Sequence, residues 1–282
     1  MSPELRLMCI LAHPDDESLG TGGILARYAA EGIATYLVTA TRGERGWQGN
    51  AAAYPGPHAL GRMREAELRA AAHVLGLREV VFLNYQDGEL DRANPAEAIS
   101  QLVAHVRRLR PDVVVTFDPT GLYGHPDHIA ISQFATAAIV ASADPSYVGP
   151  PALPTHRVAK LYYLAPGRSL LAAYQEAFGD LVMRIDGVER RAAAWDSWAI
   201  TTQIDTMAYW QQVWQAISCH RTQLPTYQAL RGLPDEHHQH LWGSQTFYRA
   251  FSLVNGGRAI ERDLFEGLRQ GSGELYNLWM RG

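Results

Sequence analysis

Four short runs, residues 7–12, 33–40, 80–83 and 113–117, are apolar almost from end to end and alternate with segments whose apolar residues recur at helical spacing. Ile24, Leu25 and Tyr28 share a face within 17–31, and Leu68, Ala71, Ala72 and Leu75 mark a second helix. Ile99, Leu102, Val103, Val106 and Leu109 form a third stripe. A strand with one wet face alternates polar with apolar residues, so runs without alternation are covered on both sides. Buried strands alternating with helices predict an α/β fold: a mostly parallel sheet with helices on both faces and an elaborated C-terminal third.

In such a sheet, ligands gather beyond the carboxyl ends of strands, where strand order reverses. Two polar clusters occupy such ends. His13-Pro14-Asp15-Asp16-Glu17 follows the first run directly. His125-Pro126-Asp127-His128 lies a short loop beyond the fourth, with a helix starting near Asp127 or His128. A 3-2-1-4 strand order makes the first and fourth strands neighbours and brings the clusters together.

Composition excludes several classes. With 47% hydrophobic and 19% charged residues in 282, the chain is globular, and its formal charge of −4 offers no footprint for nucleic acid or an anionic membrane. Cys9 and Cys219 are the only cysteines, too few for a disulfide framework or a cysteine-type structural zinc site. Cys9 lies inside an apolar run and reads as inert core. The first apolar run is too short for a signal peptide or a membrane span, so a cytoplasmic protein is expected. Without repeats or linkers, a single domain over 1–282 is expected, with 1–142 as the core and 143–282 as remaining strands, helices and pocket loops. Residues 42–61, 143–154 and 224–245 read as loops over the site, and 200–219 as a later helix.

His13 and Asp16 sit three apart between a strand and the helix it feeds, so their side chains can converge on one point. His128 would add a third ligand. Two imidazole nitrogens and a carboxylate with an open position form a catalytic zinc pattern, whereas a structural site is closed. Zinc, with Fe2+ or another divalent ion left open, would polarise a carbonyl and acidify water. Taken singly, Asp15, Asp16 and Glu17 read equally well as acids at a helix N-terminus, and Asp127 as an N-cap. Two His-Pro-Asp clusters at two strand ends outweigh that bland reading.

Together with Gly43-Glu44 after the second run, these motifs resemble the LmbE-like, or PIG-L-type, zinc deacetylases, which act on N-acetylglucosaminyl conjugates. The match covers the first half of the chain well and the rest weakly. The resemblance implies a Rossmann-like fold and hydrolysis of an N-acyl group, usually N-acetyl, from a small-molecule amino sugar. It implies His13, Asp16 and His128 as metal ligands and Asp15 as general base. His125 would assist the oxyanion or the leaving amine, with Asp127 orienting its ring and Tyr123 adding a hydrogen bond. Arg64 and Asp87 resemble the family's sugar contacts, against the plainer readings of a solvated helix residue and an Asp-Gly turn, and Glu44, which follows the second strand, is expected to face the substrate pocket too.

Other signals are weaker. His220 and Gln223 fit a His-x-x-Gln pattern only faintly, and His237, His238 and His240 read as an exposed loop. The iron facial triad also uses two histidines and a carboxylate, but oxygen activation has no need of Asp15. Gly20-Thr21-Gly22-Gly23 superficially suggests a dinucleotide-binding module, yet it falls after the helix start and lacks the third glycine. An amidase acting on thiol S-conjugates, a non-catalytic Rossmann-type binding protein, and a homo-oligomeric assembly stay open at this point.

Overall fold

The computed structural model describes residues 4–269 apart from 148, 150–152, 181 and 186. The proline-rich stretch 143–154 therefore lies partly, and the end of the chain from 270 wholly, outside the described residues.

All four apolar runs form strands: β1 (Arg6–Leu11), β2 (Ala34–Thr41), β3 (Glu79–Tyr85) and β4 (Val113–Thr116). The helices between them are α1 (Asp16–Ala30), α2 (Pro57–Leu75) and α3 (Pro95–Leu109). After β4 come a single irregular turn, α4 (Gly121–Gly124), then α5 (Pro126–Ala143), β5 (Lys160–Leu164) and α6 (Arg168–Phe178). A hairpin, β6 (Val182–Ile185) with β7 (Val188–Arg191), precedes β8 (Thr202–Asp205) and α7 (Trp210–Cys219). There follow α8 (Gln228–Arg231), α9 (Asp235–Trp242) and β9 (Ser244–Ser252).

The main sheet runs β3-β2-β1-β4-β5-β9-β8, parallel through its first five strands, with β9 antiparallel to β5 and β8 antiparallel to β9. The chain winds outward from β1 to β3 and then returns to β4. Right-handed crossovers therefore place α1 and α2 on one face and α3 and α5 on the other. β1 is central, and Leu7, Met8, Cys9, Ile10 and Leu11 are all fully buried. β3 is an edge strand, so Val80, Val81 and Phe82 are only half-buried despite their apolar run. Among the described residues, no helix is long and apolar enough to cross a membrane.

Three expectations for the connecting segments need correction. The expected loop 42–61 ends at Gly56, because Pro57 starts α2 with a preset φ and no N–H to satisfy. The expected helix 200–219 begins as β8, whose alternating burial at Thr202, Gln203, Ile204 and Asp205 is a strand signal. Within 224–245, Asp235 and Glu236 open the helix α9 where a loop was expected. On that helix His238 is buried against Trp210, Trp214 and Trp242, not exposed.

The glycine run after Asp16 serves packing. It lies inside α1, where a Cβ on Gly22 would stand 3.2 Å from Val213 of α7 and one on Gly23 2.7 Å from Thr206. The far half of the sheet is closed by a buried ion pair. Lys160 Nζ meets Glu261 Oε1 at 2.6 Å, while Tyr162, Thr202, Asn255 and Arg249 also bond to the Glu261 carboxylate.

Candidate active site

The two clusters meet beyond the adjacent carboxyl ends of β1 and β4. His13 Nδ1 lies 3.2 Å from His128 Nε2, across 115 positions of sequence. Asp16 completes the group, with Oδ2 at 3.6 Å from His13 Nδ1 and Oδ1 at 3.5 Å from His128 Nε2. Ligands held about 2.0–2.1 Å from a tetrahedral zinc ion stand about 3.3 Å apart, so these three side chains, with one Asp16 oxygen turned to each imidazole, fit such an ion. Asp16 is anchored by the backbone N–H groups of Ala12 and His13, at 3.2 and 2.7 Å. A second group that could hold a metal, His13, His125 and Asp127, overlaps the first.

Negative charge crowds the cluster. Besides Asp16, His13 faces Asp127 Oδ2 at 3.1 Å and Asp87 Oδ1 at 3.2 Å from its Nε2. Burial alone would lower the His13 pKa, but Asp127, Asp16 and Asp87 outweigh it and raise it well above the usual value. Burial, reinforced by the two neighbouring imidazoles, pushes His128 down to about 3. Against its own burial, His128 and His13 hold the Asp16 carboxyl well below the ordinary range. An excess of carboxylate around two imidazoles is the electrostatic pattern of a site that receives a cation.

Asp15 stands apart from this group. Its backbone has φ 106° and ψ −26°, a costly conformation for a residue with a Cβ. Its N–H donates to Glu17 Oε2 at 2.9 Å, and Glu17 is fully buried and bonded to His220 Nε2 at 2.7 Å. The Asp15 carboxylate accepts from Tyr227 Oη at 2.8 Å and from Arg64 at 3.2 Å. Burial pushes its pKa up to about 6, with Arg64 opposing.

In the second cluster, His125 caps α5, its Nδ1 accepting from the Asp127 N–H at 3.1 Å. The Asp127 carboxylate, expected to orient the His125 ring, accepts from Gly88 N–H at 2.7 Å and Leu90 N–H at 3.1 Å and faces His13. With the chain already turned by Pro126, its side chain points back towards β1 and the loop after β3. Phe117 stacks on His128 at 3.9 Å, and the Tyr123 ring stands edge-on at 5.3 Å from it. Before Tyr123, Leu122 adopts φ 64° and ψ −70°, a second strained residue beside the site.

The three residues read as substrate contacts come to the same end of the sheet but differ in exposure. Arg64 is buried, donating to Gly43 O at 2.9 Å and Pro14 O at 2.5 Å. Gly43 and Gly46 leave room for it, since a Cβ at either would run into its guanidinium. Asp87 is buried and accepts from Arg45 N–H at 2.9 Å, and half-buried Glu44 accepts from Asp87 N–H at 3.3 Å. Asp15, Asp16, Tyr123 and His128 open onto a cavity of about 510 Å³. Sequence reasoning missed Tyr227 and undervalued His220 and Gln223, which bonds to Gly46 O at 2.5 Å. The faint His-x-x-Gln pattern was the available signal for the latter two; Tyr227 had none.

Residues 8–139 match the family model described as PIG-L, GlcNAc-PI de-N-acetylase. A protein from Geodermatophilus obscurus named 1D-myo-inositol 2-acetamido-2-deoxy-alpha-D-glucopyranoside deacetylase is 35% identical, over 95% of this chain and 99% of its own. One of the same name from Streptomyces avermitilis is 36% identical, over 94% and 98%. Among solved structures, a conserved protein from Thermus thermophilus has a TM-score of 0.63 at 26% identity, covering 89% of this chain and 97% of its own. The N,N'-diacetylchitobiose deacetylase from Pyrococcus horikoshii has a TM-score of 0.63 at 20% identity, over 86% and 83%, a likeness of fold.

Proposed function

The chain belongs to the PIG-L family of GlcNAc-PI de-N-acetylases, and on that premise we propose that it is a zinc-dependent hydrolase that removes the N-acetyl group from a glucosaminyl conjugate. The substrate class is a glycoside of N-acetylglucosamine with a polyol such as inositol, as the names of its bacterial relatives suggest. The observation that carries this reading is the convergence of His13, Asp16 and His128 beside a carboxylate, Asp15, that is not part of that group.

His13, Asp16 and His128 would hold the ion, whose bound form supplies Lewis acidity to the amide carbonyl and acidifies water. Asp15, steadied by Tyr227 and Arg64, takes a proton from the attacking water as oxygen bonds to the carbonyl carbon. His125 and Tyr123 pack beside His128, with ring centroids 4.8 and 5.3 Å from it, and offer hydrogen bonds to the developing oxyanion. Cleavage of the C–N bond then releases the amine, protonated by Asp15 or His125, and acetate. Asp127 holds His13 in its ligating orientation from behind, a role that fits its bonds better than a contact with His125. Arg64, Asp87 and Glu44 stand on the β2 and β3 side, where they favour a hydroxylated sugar and the two carboxylates favour the cationic amine left after cleavage.

Amine release measured over a panel of N-acetylglucosaminides tests the reading. Release from glycosides with a polyol aglycone supports it. Activity confined to substrates without an amide overturns it.

A further inference from the structure

The cavity beside Asp15 is walled mainly by apolar side chains. Leu19, Leu122, Leu164, Leu170, Leu171 and Leu241 all line it. Several polar groups in its wall are already engaged. Gln245 accepts from Ile24 N–H at 2.7 Å and donates to Gly20 O at 2.8 Å. Thr246 donates to Ala165 O at 2.6 Å, Tyr174 to Leu19 O at 3.0 Å, and Tyr227 to Asp15. A hydroxyl-rich ligand entering this space would give up water and find few partners, whereas a hydrocarbon gains by leaving water.

Sheet order fixes which part of a substrate reaches it. Glu44 follows β2 and Asp87 follows β3, on one side of the β1 cluster. Much of the apolar wall comes from the opposite side: Phe117 beyond β4, Leu164 and Ala165 at the end of β5, and Leu170 and Leu171 on α6. With the sugar held by Arg64, Asp87 and Glu44, the substituent on the scissile carbonyl points into the cavity. A methyl group leaves most of about 510 Å³ unfilled.

We propose that this cavity is an acyl pocket and that the enzyme hydrolyses amides of glucosamine whose acyl group is a hydrocarbon chain longer than acetyl. The inference rests on the deacetylase reading above and adds the acyl specificity. The chemistry is unchanged: water adds to the carbonyl carbon, the C–N bond breaks, and a fatty acid leaves in place of acetate.

The test is amine release from glucosamine carrying N-acetyl, N-butanoyl, N-hexanoyl or N-octanoyl groups, beside N-acetylglucosamine bearing an octyl chain at C1. Each added methylene on the acyl side is expected to raise kcat/KM about three- to fourfold until the pocket is full. Leu171→Trp and, independently, Ala177→Phe narrow the cavity from α6. Each is expected to cut N-octanoyl turnover about tenfold or more while leaving N-acetyl turnover within about twofold. Rates that fall with acyl length, or a gain seen only with the octyl glycoside, overturn the acyl pocket and leave the deacetylase reading standing. No amine from any of these amides, nor from N-acetylglucosamine glycosidically linked to inositol, overturns the deacetylase reading itself.

Discussion

The Tyr227 hydroxyl donates to Asp15 Oδ2 across 2.8 Å, tying the C-terminal third of the chain to the first strand-end cluster 212 positions earlier. Removing the carboxylate and removing its support should therefore differ in degree. Asp15→Asn is expected to retain its metal, which it does not ligate, and to lose about 10²- to 10⁴-fold in kcat. Tyr227→Phe keeps the base and loses one bond to a charged group, for a loss of about tenfold. Steady-state kinetics with metal analysis checks both, and equal losses would mean that Tyr227 does more than position Asp15.

Gly43 has φ 67°, and a Cβ there meets the Arg64 guanidinium that braces Asp15. Gly43→Ala is expected to cost about 1–3 kcal/mol of stability and to lower kcat, because backbone strain and a displaced arginine act together. Denaturant titration beside kinetics reads the two effects, and an unperturbed variant would show that the loop after β2 can yield.

The Lys160–Glu261 pair is buried at both ends. Lys160→Met leaves Glu261 with Arg249 and three neutral donors, and is expected to destabilise the fold by about 3–5 kcal/mol. A loss below about 1 kcal/mol in urea unfolding would show that Arg249 compensates on its own.

His156 is buried and donates from Nε2 to Pro111 O at 2.7 Å. Burial, helped by Arg110 and Arg6, pushes its pKa down to about 4 despite the Pro111 bond. Between that value and the ordinary one near 6.5, the unfolded chain binds a proton that the folded chain does not. Its contribution is therefore complete above about 6.5 and lost as pH falls towards about 4. Asp112, raised by burial to about 6, acts in the opposite sense over much of that range, so the effect is best isolated by difference. Relative to wild type, His156→Gln should gain roughly 2 kcal/mol between pH 7 and pH 4.5. A difference that does not change with pH would contradict this.

The parallel core could be read from the sequence because β1 and β4 are buried on both faces, and buried strands announce themselves as unbroken apolar runs. The His13, Asp16 and His128 group could be read because two local motifs sit at strand ends that topology makes neighbours. The partners of the Asp127 carboxylate were not legible, because side-chain direction after Pro126 depends on the loop after β3, whose Gly88 and Leu90 N–H groups bond to it. Tyr227 was invisible, since a lone tyrosine beside a short helix carries no spacing that betrays a partner over two hundred residues away. The aromatic packing of His238 was hidden for the same reason: it depends on α7 meeting α9.

The most direct test of the central claim is a metal titration of chelator-stripped enzyme, following amine release from an N-acetylglucosaminide. The account predicts no turnover without metal, recovery that saturates near one zinc ion per chain, and neither binding nor recovery in His128→Ala. Full amide hydrolysis by the stripped enzyme, or full zinc occupancy in His128→Ala, would contradict it.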